Sequence, residues 1–489
     1  MSAGGTGAHH LRPRTSGEPR TGMKTGIVSS LLSTTRVATW AAVLGVVVLA
    51  ATYVLAHDLT LGVAVTSVAV LACVMLYDPS LVPVVAMPTF VVAERVGGDS
   101  LNMSLGDVTL FATFWVAVLF SPRPFTPALR SMLWLSAVYQ LATLFAVVAT
   151  PFAQNSIEWF HAWLLVGGAL VVGWAVGRSG HATLGLTLLT VFVLAIALDA
   201  CATAAVQLAQ GDVSPVYPSW PFELHKNLAG PIFASVALLV FVRQPWLRWP
   251  AWFRVPAFYL LVLALMAVQS RQAIVGLGVG LIVLALRAGR GRRQTPILML
   301  LTMAPAAIFV ASRVQDDLSG DDPFNSTAFR AVGIEGGFDV WREHLWFGAG
   351  LRWWTVGPEL GFQPPNAVAE VLSSVGIVGL AGFAVLMLGT LVVAWRMDRR
   401  FGTLAVALLA SRLVASQFDQ FWVAIIVSLP FLLVGVCLGA EGFAKAPGAP
   451  LLDDRPARVR RRAARAALAP VEQRVPAQGE ELLLPGGRS

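Results

Sequence analysis

Fourteen strongly apolar runs, each 14 to 25 residues long, follow one another along this chain with few breaks. They fall at 37–56, 59–77, 80–93, 105–120, 131–150, 160–177, 183–206, 228–242, 255–269, 272–286, 295–312, 371–395, 402–416 and 421–439. A backbone in hydrocarbon must satisfy its own hydrogen bonds, so an apolar run of about 20 residues reads as a membrane helix. Composition agrees, with 56% hydrophobic and 13% charged residues and a mean hydropathy of +0.70. Soluble domains average about 25% charged residues. The 489 residues are therefore not three soluble domains in a row. Disulfide-rich, collagenous and wholly disordered classes are excluded as well. Cys73, Cys201 and Cys437 all lie inside apolar runs, and no CxxC metal spacing occurs.

Charge sets the expected orientation. With the N-terminus inside, the cytoplasmic segments hold 27 Arg and Lys and the outer segments 8, together all 35. The expected fold is an all-α, polytopic helix bundle of about 14 (12–14) transmembrane helices in the plasma (cytoplasmic) membrane, with both termini cytoplasmic. Its parts are a basic tail over 1–36, helices over 37–312, an outer loop over 313–366, helices over 367–440 and a basic tail over 441–489. The run 80–93 is short and broken by Pro83 and Pro88; a re-entrant segment is the alternative there, but the parity of the count then fails. The first thirty residues lack a signal-peptide core. The pI near 10.0 reflects this sidedness, and no nucleic-acid partner is expected. Arg458, Arg460, Arg461, Arg462 and Arg465 are expected against anionic lipid headgroups.

The 313–366 loop is the one large outer connection, and its aromatic content argues against disorder. Phe338, Trp341 and Leu345 recur at helical spacing, which predicts an interfacial helix around 326–345. These aromatics serve as membrane anchors, as stacking partners for a sugar or lipid, or as both. Asp316, Asp317, Asp321 and Asp322 read as a solvated turn, and no metal is expected.

On the outer side, 18 of the 27 acids set an anionic background, so its few cations are informative. Arg271 lies in a hairpin, Gln269-Ser270-Arg271-Gln272, so tight that its guanidinium has little freedom. It is read as an anion ligand, or else as the partner of Asp199 or Glu370. A second cluster holds Glu223, His225, Lys226 and Asn227 at the mouth of the next span, where Asn227 is placed to cap a helix. A third, in the large loop, holds Arg330, Asp339, Arg342, Glu343 and His344. Asp199 is an acid well inside a span, read as a functional group or as a helix–helix hydrogen bond. HExxH, Walker-type GxxxxGK[ST] and GxSxG patterns are all absent.

In this order the elements resemble the bacterial O-antigen ligase and polymerase superfamily of membrane glycosyltransferases. They are His225-Lys226-Asn227-Leu228-Ala229, the Ser270-Arg271 hairpin with its glycine-rich helix, Arg330…Trp341…Phe347-Gly348-Ala349-Gly350, Asn366 and Gly376-Ile377-Val378-Gly379-Leu380. The likeness covers roughly 220–395. It implies transfer of a glycan from a polyprenyl-diphosphate carrier to a glycan or glycolipid acceptor hydroxyl on the outer face, with inversion and with no cofactor or metal. The carried-over diphosphate ligands are Arg271 and Arg330, with Lys226 a third cation. Family ligases place an acceptor-activating histidine just before the matching Asn; here that position is Pro365. The expected base is therefore His344, then Glu343, Asp339 and His225, with Glu370 one helical turn after Asn366. A transporter or lipid-linked-glycan flippase, and an inactive scaffold of the same fold, are the alternatives.

Overall fold

The computed structural model describes residues 70–96, 103–121, 123–287, 326–356 and 363–446, with Ile308 and Ser312. The chain divides into Met1–Pro79 and Ser80–Ser489. The first unit is described only over 70–79, of which 70–77 are helical. The spans expected at 37–56 and 295–312, the acids of 316–322, the tail 1–36 and residues 447–489 lie outside the described residues, apart from Ile308 and Ser312. Residues 441–444, expected as the start of the C-terminal tail, instead continue the last helix, because Ala440, Gly442 and Ala444 keep the apolar helical run going.

The second unit is a helical membrane protein. Its described helices are α1 Leu105–Phe120, α2 Pro127–Ala149, α3 Ala153–Arg178, α4 Ala182–Ala209, α5 Lys226–Phe241 and α6 Ala251–Ala267. Then come α7 Arg271–Arg287, α8 Ser326–Glu343, α9 Ala367–Arg396, α10 Arg399–Ala415 and α11 Ala424–Ala444. Helices α2, α3, α4, α9 and α11 are long and apolar enough to cross a bilayer by themselves. Ten of the fourteen apolar runs coincide with a described helix. The run 80–93 does not: it forms two short turns, Val82–Val85 and Met87–Val91. Prolines at 83 and 88 remove the donors that a continuous helix needs. A two-stranded hairpin, β1 Arg95–Val96 with β2 Met103–Ser104, follows these turns.

Local chemistry fixes the helix starts. Ser104 and Asp107 form a reciprocal capping box on α1. Thr126 caps α2 ahead of Pro127, Asn366 caps α9 and Asp398 caps α10. Most connections between successive helices are short, so neighbours run antiparallel.

Helix α11 and the 164–177 stretch of α3 are predominantly apolar and form the buried centre. Gly173 and Gly177 of α3 face Gly435 and Gly439 of α11. A Cβ at 173 would lie 1.9 Å from the Leu432 carbonyl oxygen, and one at 439 would lie 2.2 Å from that of Trp174. Two Gly-x-x-x-Gly faces thus let the backbones touch, the usual solution where hydrocarbon gives no hydrophobic drive between helices.

Helix α9 is broken. Gly376 has φ +65°, and the carbonyls of Ser373 and Ser374 and the amides of Ile377 and Val378 leave the helical ladder. The segment after α8 fills the break: Ala349 and Gly350 amides donate to Ser373 and Ser374 (2.8 and 3.0 Å). Leu345 and Trp346 carbonyls accept from Ile377 and Val378 (3.0 and 3.2 Å). Freed backbone groups at this depth are tolerated only when protein satisfies them.

A buried polar chain pins the inserted segment to the bundle. Asn155 Oδ1 accepts from the Leu351 amide at 2.8 Å, and Arg352 Nε reaches Glu158 at 2.7 Å. His161 sits between Glu158 and Asp107, 3.4 Å from each. The helix expected around 326–345 is present as α8, Ser326–Glu343.

Candidate functional site

Four connections and the start of α8 meet at one end of the bundle around a cavity of about 360 Å³. The turn between α6 and α7 contributes Gln269, Arg271 and Gln272. Gln269 adopts a left-handed φ of 52° and its amide donates to the Val213 carbonyl at 2.7 Å, so the turn is rigid. Position 230 admits only glycine: a Cβ there would lie 2.3 Å from the Ser270 side chain. That approach lets Lys226 and Asn227 at the start of α5 share the cavity with Arg271. Phe329 and Arg330 arrive on the first turns of α8, and Gln363 and Pro365 precede α9.

The remaining wall is the α10–α11 connection, residues 416–423, which is clamped from both sides. Arg412, buried in α10, donates Nη2 to the Gln420 carbonyl at 3.0 Å and also to that of Phe421. Glu370, 1% exposed, accepts from the Phe421 and Trp422 amides at 2.6 and 3.1 Å and from Gln363 Nε2. Asn366 Nδ2 holds the Gln417 carbonyl at 2.9 Å. Tyr139 stacks on Trp422 with centroids 5.2 Å apart.

This clamp presents Asp419 to the cavity. Its Oδ2 accepts from Gln272 Nε2 at 2.7 Å and its Oδ1 from the Gln420 amide at 2.9 Å. Burial pushes the Asp419 carboxyl above the usual carboxylate range, while the Gln420 amide and the charges of Arg330 and Arg412 oppose that rise. Arg271, Arg330 and Lys226, with one carboxylate and several amides, make a chamber suited to a multivalent anion and a proton-accepting step.

Of the residues singled out in the sequence, Arg271, Arg330, Lys226 and Asn227 line the cavity, as does Pro365. His225 stands at its edge and caps α5, its Nδ1 accepting from the Asn227 amide at 3.2 Å. That bond needs a neutral ring with its proton on Nε2. Burial and the neighbouring Lys226 charge push the His225 pKa down, against the pull of Asp419, which favours the neutral form.

Other expected residues have different work. Asn366 caps α9 through Val368 and Ala369. Asp199 accepts from the Ser219 and Trp220 amides at 2.9 and 3.2 Å, holding the α4–α5 loop. In place of the anticipated pairing with Arg271, both Asp199 and Glu370 accept from backbone amides. Glu343 and His344 are exposed at the far end of α8. Fourteen residues separate His344 from Arg330, about 21 Å along a helix, and neither His344 nor Glu343 lines the cavity. Asp339 pairs with Arg342 on the same exposed helix.

Asp419, Arg412 and the four lining glutamines are what the sequence reading passed over. A usable signal existed. Asp419 is the single acid of the short α10–α11 connection, and Arg412 is a cation inside an apolar run. No family model matches this chain, and no curated protein matches it. The functional reading therefore stands on the chemistry of the cavity.

Proposed function

We propose that this protein is an inverting glycosyltransferase of the O-antigen ligase and polymerase type, needing no metal, that works at the outer face of the plasma membrane. It carries about 14 spans with both termini cytoplasmic, so that the cavity opens outward. Its donor is a glycan on a polyprenyl diphosphate, and its acceptor is a hydroxyl of a second glycan or glycolipid.

The observation that carries the reading is the convergence of Arg271, Arg330 and Lys226 on one cavity that also holds a buried carboxylate. Diphosphate departure develops negative charge, and fixed cations stabilise it where it forms. Arginine does this bidentately. The acceptor oxygen attacks the anomeric carbon, and the bond from that carbon to the diphosphate oxygen breaks with its electron pair. The hydroxyl proton passes to Asp419, which replaces His344 as the base because it is the acid that lines the cavity.

A flippase reading draws on the break in α9, since broken helices mark transporter sites. The freed groups of that break are occupied by Leu345–Gly350 of the same chain, so they line no open path. Profiling of lipid-linked oligosaccharides in a deletion strain tests the proposal. An accumulated carrier-linked glycan supports it and identifies the donor. Transfer at the wild-type rate by a folded Arg271→Ala protein overturns it.

A further inference from the structure

At the end of the bundle opposite the cavity, residues 242–250 form an arch from α5 to α6. Its sequence interleaves cations and indoles: Arg243, Trp246, Arg248, Trp249, then Trp252 and Arg254 in the first turn of α6. The arch is fixed in place. Trp249 Nε1 donates to Thr187 Oγ1 at 2.8 Å, the Leu247 amide donates to the Gln244 carbonyl at 3.1 Å, and Trp246 stacks on Phe401 at 6.3 Å.

Three buried donors on this one segment have no acceptor: Gln244 Nε2, Trp246 Nε1 and Arg254 Nε. Gln244 is only 5% exposed, and burying such a donor without a partner is unfavourable. Charge is uncompensated as well. Arg243 stands close enough to Arg254 for the two like charges to repel. Among the described residues no ion pair reaches Arg243, Arg248 or Arg254. Among the described residues, the acids of α10 and α11 at this end are already engaged: Asp398 caps α10 and Glu441 pairs with Lys445.

We propose that this arch binds the headgroup phosphate of an anionic phospholipid. A phosphodiester brings only acceptor oxygens and a negative charge, the complement of the exposed Arg243 and Arg248 and the half-buried Arg254. The lipid-borne form fits best, because the arch joins two apolar helices at their ends. Trp252, 78% exposed, is placed as an interfacial anchor beside it. The site is separate from the cavity and does not depend on the transfer reaction.

The test uses the purified full chain in nanodiscs of phosphatidylglycerol or phosphatidylcholine with matched acyl chains, and reads retained lipid by native mass spectrometry. Wild type is expected to retain phosphatidylglycerol selectively. Arg243→Gln with Arg254→Gln should weaken retention about fivefold per arginine, whereas Arg342→Gln on α8 should leave it unchanged. Arg248→Gln, at an exposed position, gives the same fivefold test if the double variant does not fold. Equal retention of the two lipids by wild type, or undiminished retention in the variants, overturns the proposal. Displacement of the lipid by millimolar inorganic phosphate also overturns it, since the site would then recognise phosphate alone.

Discussion

Asp419 and Glu370 are carboxylates at the same end of the bundle, yet their surroundings give them different work. Glu370 spends its lone pairs on two backbone amides and Gln363, so it shapes the 416–423 connection. Glu370→Ala would leave the Phe421 and Trp422 amides buried and unpaired, at about 1–3 kcal/mol each. The expected result is a lower thermal unfolding midpoint in detergent, together with lost transfer. Asp419 lines the cavity with a raised pKa, as a base near working pH requires. Only its deprotonated form accepts a proton, so the rate should fall as pH drops through that raised value. Asp419→Asn should lower transfer by about 10²–10⁴-fold and remove this acid limb. A pH–rate profile of the variant that matches wild type in height and shape would reassign the base. Arg271→Lys keeps the charge but loses the two-pronged contact, so it should impair transfer well beyond an exposed change such as Arg342→Lys. The arginines were legible in the sequence because cations are scarce on an acidic side. Asp419 was not, because its meaning depends on Gln272, Arg330 and Arg412, which come together only in the fold.

At the scale of elements, the apolar runs were readable because a membrane helix satisfies its backbone within its own segment. The break in α9 was not readable in that way. The Gly376-Ile377-Val378-Gly379-Leu380 sequence stood out, but its reason is non-local: a Cβ at 376 would lie 2.3 Å from the Trp346 carbonyl oxygen. Helix α8, the inserted segment and the upper part of α9 are consequently tied together. They carry Arg330, Asn366 and Glu370, which belong to the cavity or its wall. Gly376→Ala must add to that clash the cost of a backbone region open essentially only to glycine, about 1–3 kcal/mol. It is expected to loosen the segment 345–356, which hydrogen exchange of its amides would register as faster exchange. Arg352→Gln removes the ion pair with buried Glu158 and should speed exchange in the same segment while leaving α3 and α11 protected. Unchanged exchange at Ala349, Gly350 and Leu351 in both variants would mean that the polar chain does not hold the insert.

For the whole molecule, the ends of the bundle differ in kind. Arg123, Arg130, Arg178, Arg243, Arg248 and Arg254 gather at the end that lacks the cavity, as do Arg287, Arg396, Arg399 and Arg400. The cavity end keeps few cations, and most of those with visible partners are committed: Arg412 to backbone carbonyls, Arg352 to Glu158, and Arg271 and Arg330 to the cavity. Basic residues are retained on the cytoplasmic side during insertion. The cavity should therefore face outward, where a lipid carrier presents a finished glycan. Single cysteines at Ser319 and Gly448 decide this, because the expected topology puts the two sites on opposite sides of the membrane. An impermeant thiol reagent applied to intact cells is expected to label position 319 and to reach 448 only after lysis. Labelling of 448 but not 319 in intact cells would invert the molecule. The cavity would then face the cytoplasm, and a donor presented at the outer face could not reach Arg271.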